Sequence, residues 1–188
     1  SGAKRTENIT ISVAALPETA VGTFNGFVKA GISFTYRPHL FLLPTSQPLK
    51  VHKCFDRHIA VLKMFPGITP EAVGAVLHTE NLRGVVLETF GSGNAPTEPW
   101  FIDAIEDAIR RNIVVLNVTQ CKAGAVKMGQ YEAGVGLQRI GVVGGNDLTP
   151  EAAVTKLMFL LGMYPDDNEA VKRDLQQSLR GEMTVLLN

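Results

Sequence analysis

Cysteine is scarce in this chain of 188 residues: Cys54 and Cys121 are the two present. Two are too few for a disulfide scaffold and fit a reducing compartment. Neither sign of charge is in excess. Lys plus Arg is 18 and Asp plus Glu is 18, which argues against binding nucleic acid or a membrane surface through bulk basicity. Long apolar runs are missing as well. Leu40–Leu43 and Leu157–Leu161 are far shorter than the ~20 residues of a membrane span. The start, Ser1-Gly2-Ala3-Lys4-Arg5, is polar and reads as an appended scar rather than a signal peptide. No Gly-rich phosphate loop with a lysine, no paired-Cys motif and no Ser-His-Asp spacing is visible. His39, His52, His58 and His78 are scattered without metal-ligand spacing, so no metal is expected. These absences leave a soluble, cytosolic globular protein or a piece of one, with one domain or one domain plus an extension.

The order of the chain divides near residue 57. Residues 1–56 read as an extended arm or interdomain connection. It holds one or two short strands, Ile9–Val13 and Gly31–Tyr36, and is broken at Pro38, Pro44 and Pro48. No hairpin signal there is strong. From residue 57 strands and helices alternate. Ile59–Phe65 reads as a buried strand closed by Pro66-Gly67. Thr69-Pro70-Glu71 opens a helix with an N-cap, a proline at the first position and an acid at the positive dipole end. Val85–Phe90 is a second strand. Thr97 then caps a helix carrying Trp100, Phe101, Ala104, Ile105 and Ala108 at helical spacing. Ile113–Val118 is the most continuous apolar strand. A short helix over Tyr131–Arg139 leads to Ile140–Val143. Thr149-Pro150-Glu151 repeats the earlier cap, and a final helix over about Glu169–Leu179 stops at Gly181. Strands that lack a polar face and alternate with helices predict an α/β fold. The expected form is a parallel sheet of about four strands between helix layers, preceded by the extended N-terminal segment.

Right-handed crossovers place the carboxyl ends of parallel strands on one edge, where ligands bind. Three loops fall there: Gly91–Pro96, Thr119–Gly124 and Gly144–Thr149. Gly91 and Gly93 imitate the opening of a dinucleotide fingerprint. The sixth position is Pro96, however, and no acid ends the following strand, so a nicotinamide cofactor is not expected. Nor is Ser92 a nucleophile elbow, because Phe90 stands where that motif needs glycine. The loop reads as a tight glycine turn that can let backbone amides and Asn94 approach a polar ligand. Cys121 is alone, so it is either a small core residue or, with Thr119, part of a small polar pocket. Asp147 reads as a hydrogen-bond acceptor for loop amides, and Thr149 as an N-cap. The triplets Asn8-Ile9-Thr10 and Asn117-Val118-Thr119 match a glycosylation acceptor by chance, the second lying inside a buried strand.

Several ordered motifs carry a resemblance. They are Val85–Pro96 (VVLETFGSGNAP), Val114–Cys121 (VVLNVTQC) and Tyr131–Gly134 (YEAG). Gly141–Ala152 (GVVGGNDLTPEA) and Leu179–Thr184 (LRGEMT) follow. In these, roughly residues 57–188 resemble the C-terminal domain of the L-asparaginases, specifically the cytoplasmic type I enzymes. The resemblance implies a cytoplasmic parent enzyme that hydrolyses L-asparagine to L-aspartate and ammonia without a cofactor. Its nucleophile is a threonine of an N-terminal domain, in a Thr-Gly-Gly-Thr-like motif. A second threonine, an aspartate and a lysine of that domain complete the machinery. None of those motifs is present here, so no catalytic group is implied in this chain and it is expected to be inactive alone. In the family the C-terminal domain builds the dimer interface and completes the active site. Tyr131 matches the tyrosine it contributes, and Asn94 lies in the glycine loop near it. On its own residues, Tyr131 is also an amphipathic core-rim tyrosine. Some type I enzymes bind asparagine at an effector site that uses the segment matching Thr119 and Cys121, together with an arginine. Glu88 holds the arginine's position here, and a carboxylate there repels that of the ligand. The implied partners are L-asparagine, the N-terminal catalytic domain and a second copy of the chain, with no nucleic acid and no membrane. A domain separated from its neighbour exposes apolar surface and self-associates. The alternative is a non-catalytic assembly or amino-acid-binding module. A tRNA-linked amidotransferase subunit of the same plan ranks behind both.

Overall fold

The computed structural model describes residues 28–30, 34–36, 51–121, 124–126 and 132–184. Near the start, β1 (Val28–Ala30) and β2 (Phe34–Tyr36) pair antiparallel, with Val28 opposite Tyr36 and Ala30 opposite Phe34. The sequence reading placed one strand over Gly31–Tyr36 and no pairing. Strands of three residues carry too little period to announce a partner. The proposed strand Ile9–Val13 lies outside the described residues.

The main sheet has the order β3 (Ile59–Lys63), β4 (Gly84–Thr89), β5 (Val114–Thr119), β6 (Val143–Gly144), and every pairing is parallel. Between and after these strands run α1 (Pro70–Leu77), α2 (Pro99–Arg110), α3 (Glu132–Arg139), α4 (Pro150–Met163) and α5 (Asn168–Leu175). Side chains alternate across the pleat, and each face of the sheet has its own core. Leu62, Val85, Leu87, Ile113 and Val115 meet Val73 and Leu77 of α1, Phe101, Ile105 and Ala108 of α2, and Leu137 of α3. On the other face Val86, Val114, Leu116 and Val118 meet Leu157, Leu160 and Leu161 of α4 and Val171 and Leu175 of α5. Every residue of β4 and β5 is buried. This is the expected parallel sheet of four strands between helix layers.

Three local expectations are corrected. First, β3 is an edge strand and ends at Lys63. Ile59 packs into the α4 core, but Val61 and Phe65 are 45% and 52% exposed, so the apolar run to Phe65 is only half covered. Second, Thr97 caps nothing: Glu98 is the N-cap of α2 and makes no side-chain cap bond. Pro99 takes the first helical position with φ already set, which leaves the cap to the residue before it. Thr69 and Thr149 do cap, accepting from Ala72 N at 3.3 Å and Ala152 N at 3.2 Å. Third, α5 stops at Leu175, short of Leu179. Beyond it the carbonyls of Leu175 and Gln177 turn to the Lys156 ammonium instead of continuing the helix, and Gly181 sits in the tail at φ +80.

The segment before β3 is strapped across α4. Asp56 N donates to Met158 O at 2.9 Å. The Asp56 carboxylate holds Arg83 at 3.0 Å. At Gly162 the two backbones nearly touch: a Cβ there would stand 2.5 Å from Cys54 O. Two effects therefore oppose each other in Gly162→Ala. Helix propensity favours alanine by about 1 kcal/mol, while displacing a packed backbone costs ~1–3 kcal/mol. The clash is with backbone and cannot be relieved by a rotamer. Gly162→Ala is expected to lower the urea midpoint of unfolding; a midpoint raised above wild type would show that the strap does not need this approach.

Candidate functional site

The carboxyl ends of β3, β4 and β5, with the loop after β6, form one edge on which polar loops are tied to one another. After β4, Phe90 N donates to Asn94 O at 2.9 Å and Asn94 N to Phe90 O at 2.8 Å. This closes a turn whose two glycines, Gly91 and Gly93, have φ +51 and +108. Such values are nearly free only for glycine. Asn94 is exposed on that turn. Gly93 is buried, and a Cβ on it would meet Val126 at 2.9 Å and Asn117 Nδ2 at 3.3 Å.

Asn117 holds the loops together. Its side chain is fully buried in β5. The Thr89 hydroxyl donates to Asn117 Oδ1 at 2.7 Å, and Asn117 Nδ2 donates to Gly93 O at 3.4 Å. Its backbone carbonyl accepts Gly145 N–H at 2.8 Å. Thr119 adds a second tie. Its hydroxyl donates to Gly91 O and accepts Cys121 N–H at 3.0 Å. Gln120 finishes the neighbouring strands: its N–H donates to Thr89 O at 2.9 Å, and Nε2 donates to Met64 O at 2.6 Å and Glu88 O at 2.9 Å.

Glu88 is buried and pairs with Lys63 at 3.3 Å. The register sets Glu88 opposite Val118 and Thr89 opposite Thr119. The side chains of Glu88 and Thr119 therefore leave the sheet toward opposite faces. Cys121 carries a free, exposed thiol. Asp147 is buried, and its carboxylate accepts the Thr184 N–H at 2.7 Å and the Thr184 hydroxyl at 2.6 Å. One amide donor to Asp147 thus comes from the C-terminal tail. Next to it, Asn146 adopts φ +51 and its carbonyl accepts Val126 N–H at 2.7 Å. So Asn94, Thr119 and Asp147 lie on one edge, with Gly91 and Gly93 between the first two. Thr149 caps α4 from the same loop. Tyr131 lies outside the described residues.

The tail that reaches Asp147 is anchored by a buried ion pair. Lys156 and Glu182 meet at 2.8 Å with side chains 3% and 8% exposed. The ammonium also donates to Leu175 O at 3.0 Å and lies 3.1 Å from the Met183 sulfur. Burial pushes the Lys156 pKa down against the pull of Glu182 and Asp174, and burial prevails. Burial pushes Glu182 up, but bonds from Leu179 N–H, Lys156 and Arg180 N–H together hold it below the ordinary carboxyl value.

Chemically this edge can present backbone groups and an amide to a polar ligand. The buried Thr119 hydroxyl at the end of β5 already donates to a carbonyl, and among the described residues no carboxylate, imidazole or amine is hydrogen-bonded to it to act as a base. Among the described residues no group of three or more His, Cys, Asp and Glu side chains is placed to hold a metal, and no helix is long and apolar enough to cross a membrane. Asn117, Gln120 and the Lys156–Glu182 pair were missed as site-forming residues in the sequence reading. The signal for Asn117 was present: an amide inside the most apolar strand must be satisfied by something nearby.

A parallel α/β sheet whose polar loops are tied into one edge at the strand exits defines a class of domain that can line a ligand pocket there. Residues 58–173 match the model of the Glutaminase/Asparaginase C-terminal domain, and the chain belongs to that family. L-asparaginase 1 of Escherichia coli is 40% identical over 136 residues, 72% of this chain and 40% of that protein. The 60 kDa lysophospholipase of Homo sapiens is 41% identical over 136 residues, 72% of this chain and 23% of that protein. The crystal structure of L-asparaginase I from Vibrio cholerae superposes with a TM-score of 0.77 at 39% identity, covering 84% of this chain and 47% of that one. The chain thus spans less than half the length of the relatives it matches.

Glu182 makes the acid stability of this domain predictable in sign. Its pKa in the fold lies below the 4.5 of a free glutamate. The unfolded chain therefore binds more protons in that window. The contribution is complete above about pH 4.5 and is lost as pH falls through the folded value. Asp56 and Asp174 act in the same direction. In urea unfolding between about pH 3 and 7, Glu182→Gln should be less stable than wild type near neutrality and lose less stability on acidification. Parallel curves for the two proteins would show that Glu182 is not held ionised by this network.

Proposed function

We propose that this chain is the C-terminal domain of an L-asparaginase, of the cytoplasmic type I kind. The parent enzyme hydrolyses L-asparagine to L-aspartate and ammonia. One observation carries the reading: an edge of interlocked loops that can hold a polar ligand but whose buried threonine hydroxyl is spent on a carbonyl. The similarity to L-asparaginase 1 and L-asparaginase I supports the substrate. The terminal motif Leu179–Thr184 favours a free asparaginase over an amidotransferase subunit. Residues 57–188 form the domain, and 1–56 form the connection into it.

In this reading the attacking threonine and its proton acceptor belong to an N-terminal domain. This domain supplies the wall of the pocket. Asn94 sits on the exposed glycine turn where an amide can donate to or accept from the substrate. Tyr131 donates a hydrogen bond or closes the pocket against water. Asp147, held by Thr184, keeps the third loop in register with the first through Asn117. The reaction is an acyl transfer to water and calls for positioned hydrogen-bond donors rather than a cofactor. Glu88 stands where the family's effector site carries an arginine, so asparagine does not act as an effector here. Val61 and Phe65 leave apolar surface exposed at the β3 edge of the sheet, and Phe90 at its carboxyl end, which supports assembly into a homodimer. Free Cys54 and Cys121 suit a reducing compartment.

The test is the coding sequence upstream of Ser1. It should encode a domain with a Thr-Gly-Gly-Thr-like motif, and the protein made from that longer frame should release ammonia from L-asparagine. In it, Tyr131→Phe should lower kcat by about tenfold or more. An upstream frame without such a motif, or a longer protein that releases no ammonia, would overturn the proposal.

A further inference from the structure

A cavity lies away from the loop edge. It has a volume of about 460 Å³ and opens on the outer side of α4, between the end of α5, the tail and the strap before β3. That volume is in the range of small-molecule pockets, roughly 300–1,000 Å³. It shares no residue with the loops that carry Asn94, Thr119 and Asp147.

Its walls are rings and aliphatic groups. Phe159 stands at the centre, with the His52 ring edge-on at 5.4 Å and the Phe55 ring tilted at 5.9 Å. Leu160, Met163 and Leu179 complete the apolar lining. Phe55 is 51% exposed at the opening, which leaves a large ring facing solvent where a ligand could cover it.

The charges along this cavity cancel in all but one place. Lys156 is neutralised by Glu182 at 2.8 Å. Asp174 accepts the Tyr164 hydroxyl at 2.8 Å and pairs with Arg173 at 2.9 Å. Arg180 is different. Its guanidinium gives one bond, to the Leu179 carbonyl at 2.7 Å, and among the described residues it pairs with no carboxylate. A guanidinium carries five N–H donors in a planar fork, so a bidentate face remains to be filled. An unpaired arginine beside an apolar slot selects a planar anion attached to an apolar body. The carboxylates and hydroxyls of the same walls are already engaged: Glu182 by Lys156, Asp174 by Tyr164 and Arg173, and Thr155 by carbonyls of its own helix. An α-ammonium group or a side-chain amide would have to displace one of these bonds or be desolvated at a cost, which disfavours a free amino acid such as asparagine.

We propose that this cavity is a second binding site that takes a small carboxylate with an aryl or alkyl body, the ring or chain lying against Phe159 and Phe55 and the carboxylate on Arg180. The site is independent of the asparagine reading, because no residue is shared. The test is isothermal calorimetry of the 188-residue chain with 4-phenylbutyrate as probe, with 4-phenylbutanol and L-asparagine as controls. The expected result is saturable one-to-one binding of the acid, at least tenfold weaker binding of the alcohol, and no competition from asparagine. Arg180→Gln, an exposed position whose loss should not unfold the domain, should weaken the acid by about tenfold, as loss of a charge-assisted bond does. Met163→Trp, which fills the slot, should abolish binding while circular dichroism stays unchanged. No saturable binding up to about 5 mM, a range that already corresponds to only ~3 kcal/mol, would overturn the proposal. So would an affinity unmoved by Arg180→Gln.

Discussion

The amide of Asn117 is the constraint on which the candidate site depends. It is fully buried in the centre strand of a sheet packed on both faces. A buried amide left without partners costs ~1–3 kcal/mol for each unmet group. The surroundings supply them: the Thr89 hydroxyl on one side and the Gly93 carbonyl on the other. Satisfying Asn117 therefore draws in the turn after β4. Its own carbonyl, by accepting from Gly145, draws in the loop after β6. Glycine is needed at both points, because a Cβ on Gly93 or Gly145 would come within 3.3 Å and 3.0 Å of Asn117 atoms. Two loops that are distant in sequence are drawn to β5 through one polar side chain and its backbone, and Thr119 ties in the loop that follows β5.

The tail extends the same logic to the far side of α4. A lone ammonium inside the domain would be costly, and burying it without a partner is worse than burying the pair. Lys156 is met by Glu182 and by the carbonyls that follow α5. Two residues beyond Glu182, Thr184 reaches the Asp147 carboxylate. The chain end is thus wound round one cation and delivered to the loop edge. This ties the stability of the α4–α5 layer to the placement of Asp147.

Much of this was legible in the sequence, and the reasons differ by element. Thr69 and Thr149 could be recognised as caps because a hydroxyl, a proline and an acid stand in successive positions. Thr97 misled because Pro99, two residues on, already defines the helix start. The apolar run Ile59–Phe65 signals a strand but cannot say that the strand lies at an edge, since edge status is decided by what pairs beside it. The end of α5 at Leu175 was hidden because it is set by Lys156, far away in sequence. Asn117 was passed over as part of a chance glycosylation triplet, although a polar residue inside an apolar strand is the stronger signal. Membership of the asparaginase family, by contrast, rested on ordered motifs at the strand exits and is confirmed by the match over residues 58–173.

The central claim is the proposed division of labour, in which this domain would shape and close a pocket and the attacking hydroxyl would come from another domain. It is tested most directly by incubating the 188-residue chain alone with L-asparagine and following ammonia. The account predicts no release above that of buffer at any chain concentration. Release that rises in proportion to the chain and disappears in Thr119→Ala would contradict it, because the nucleophile would then lie within these residues.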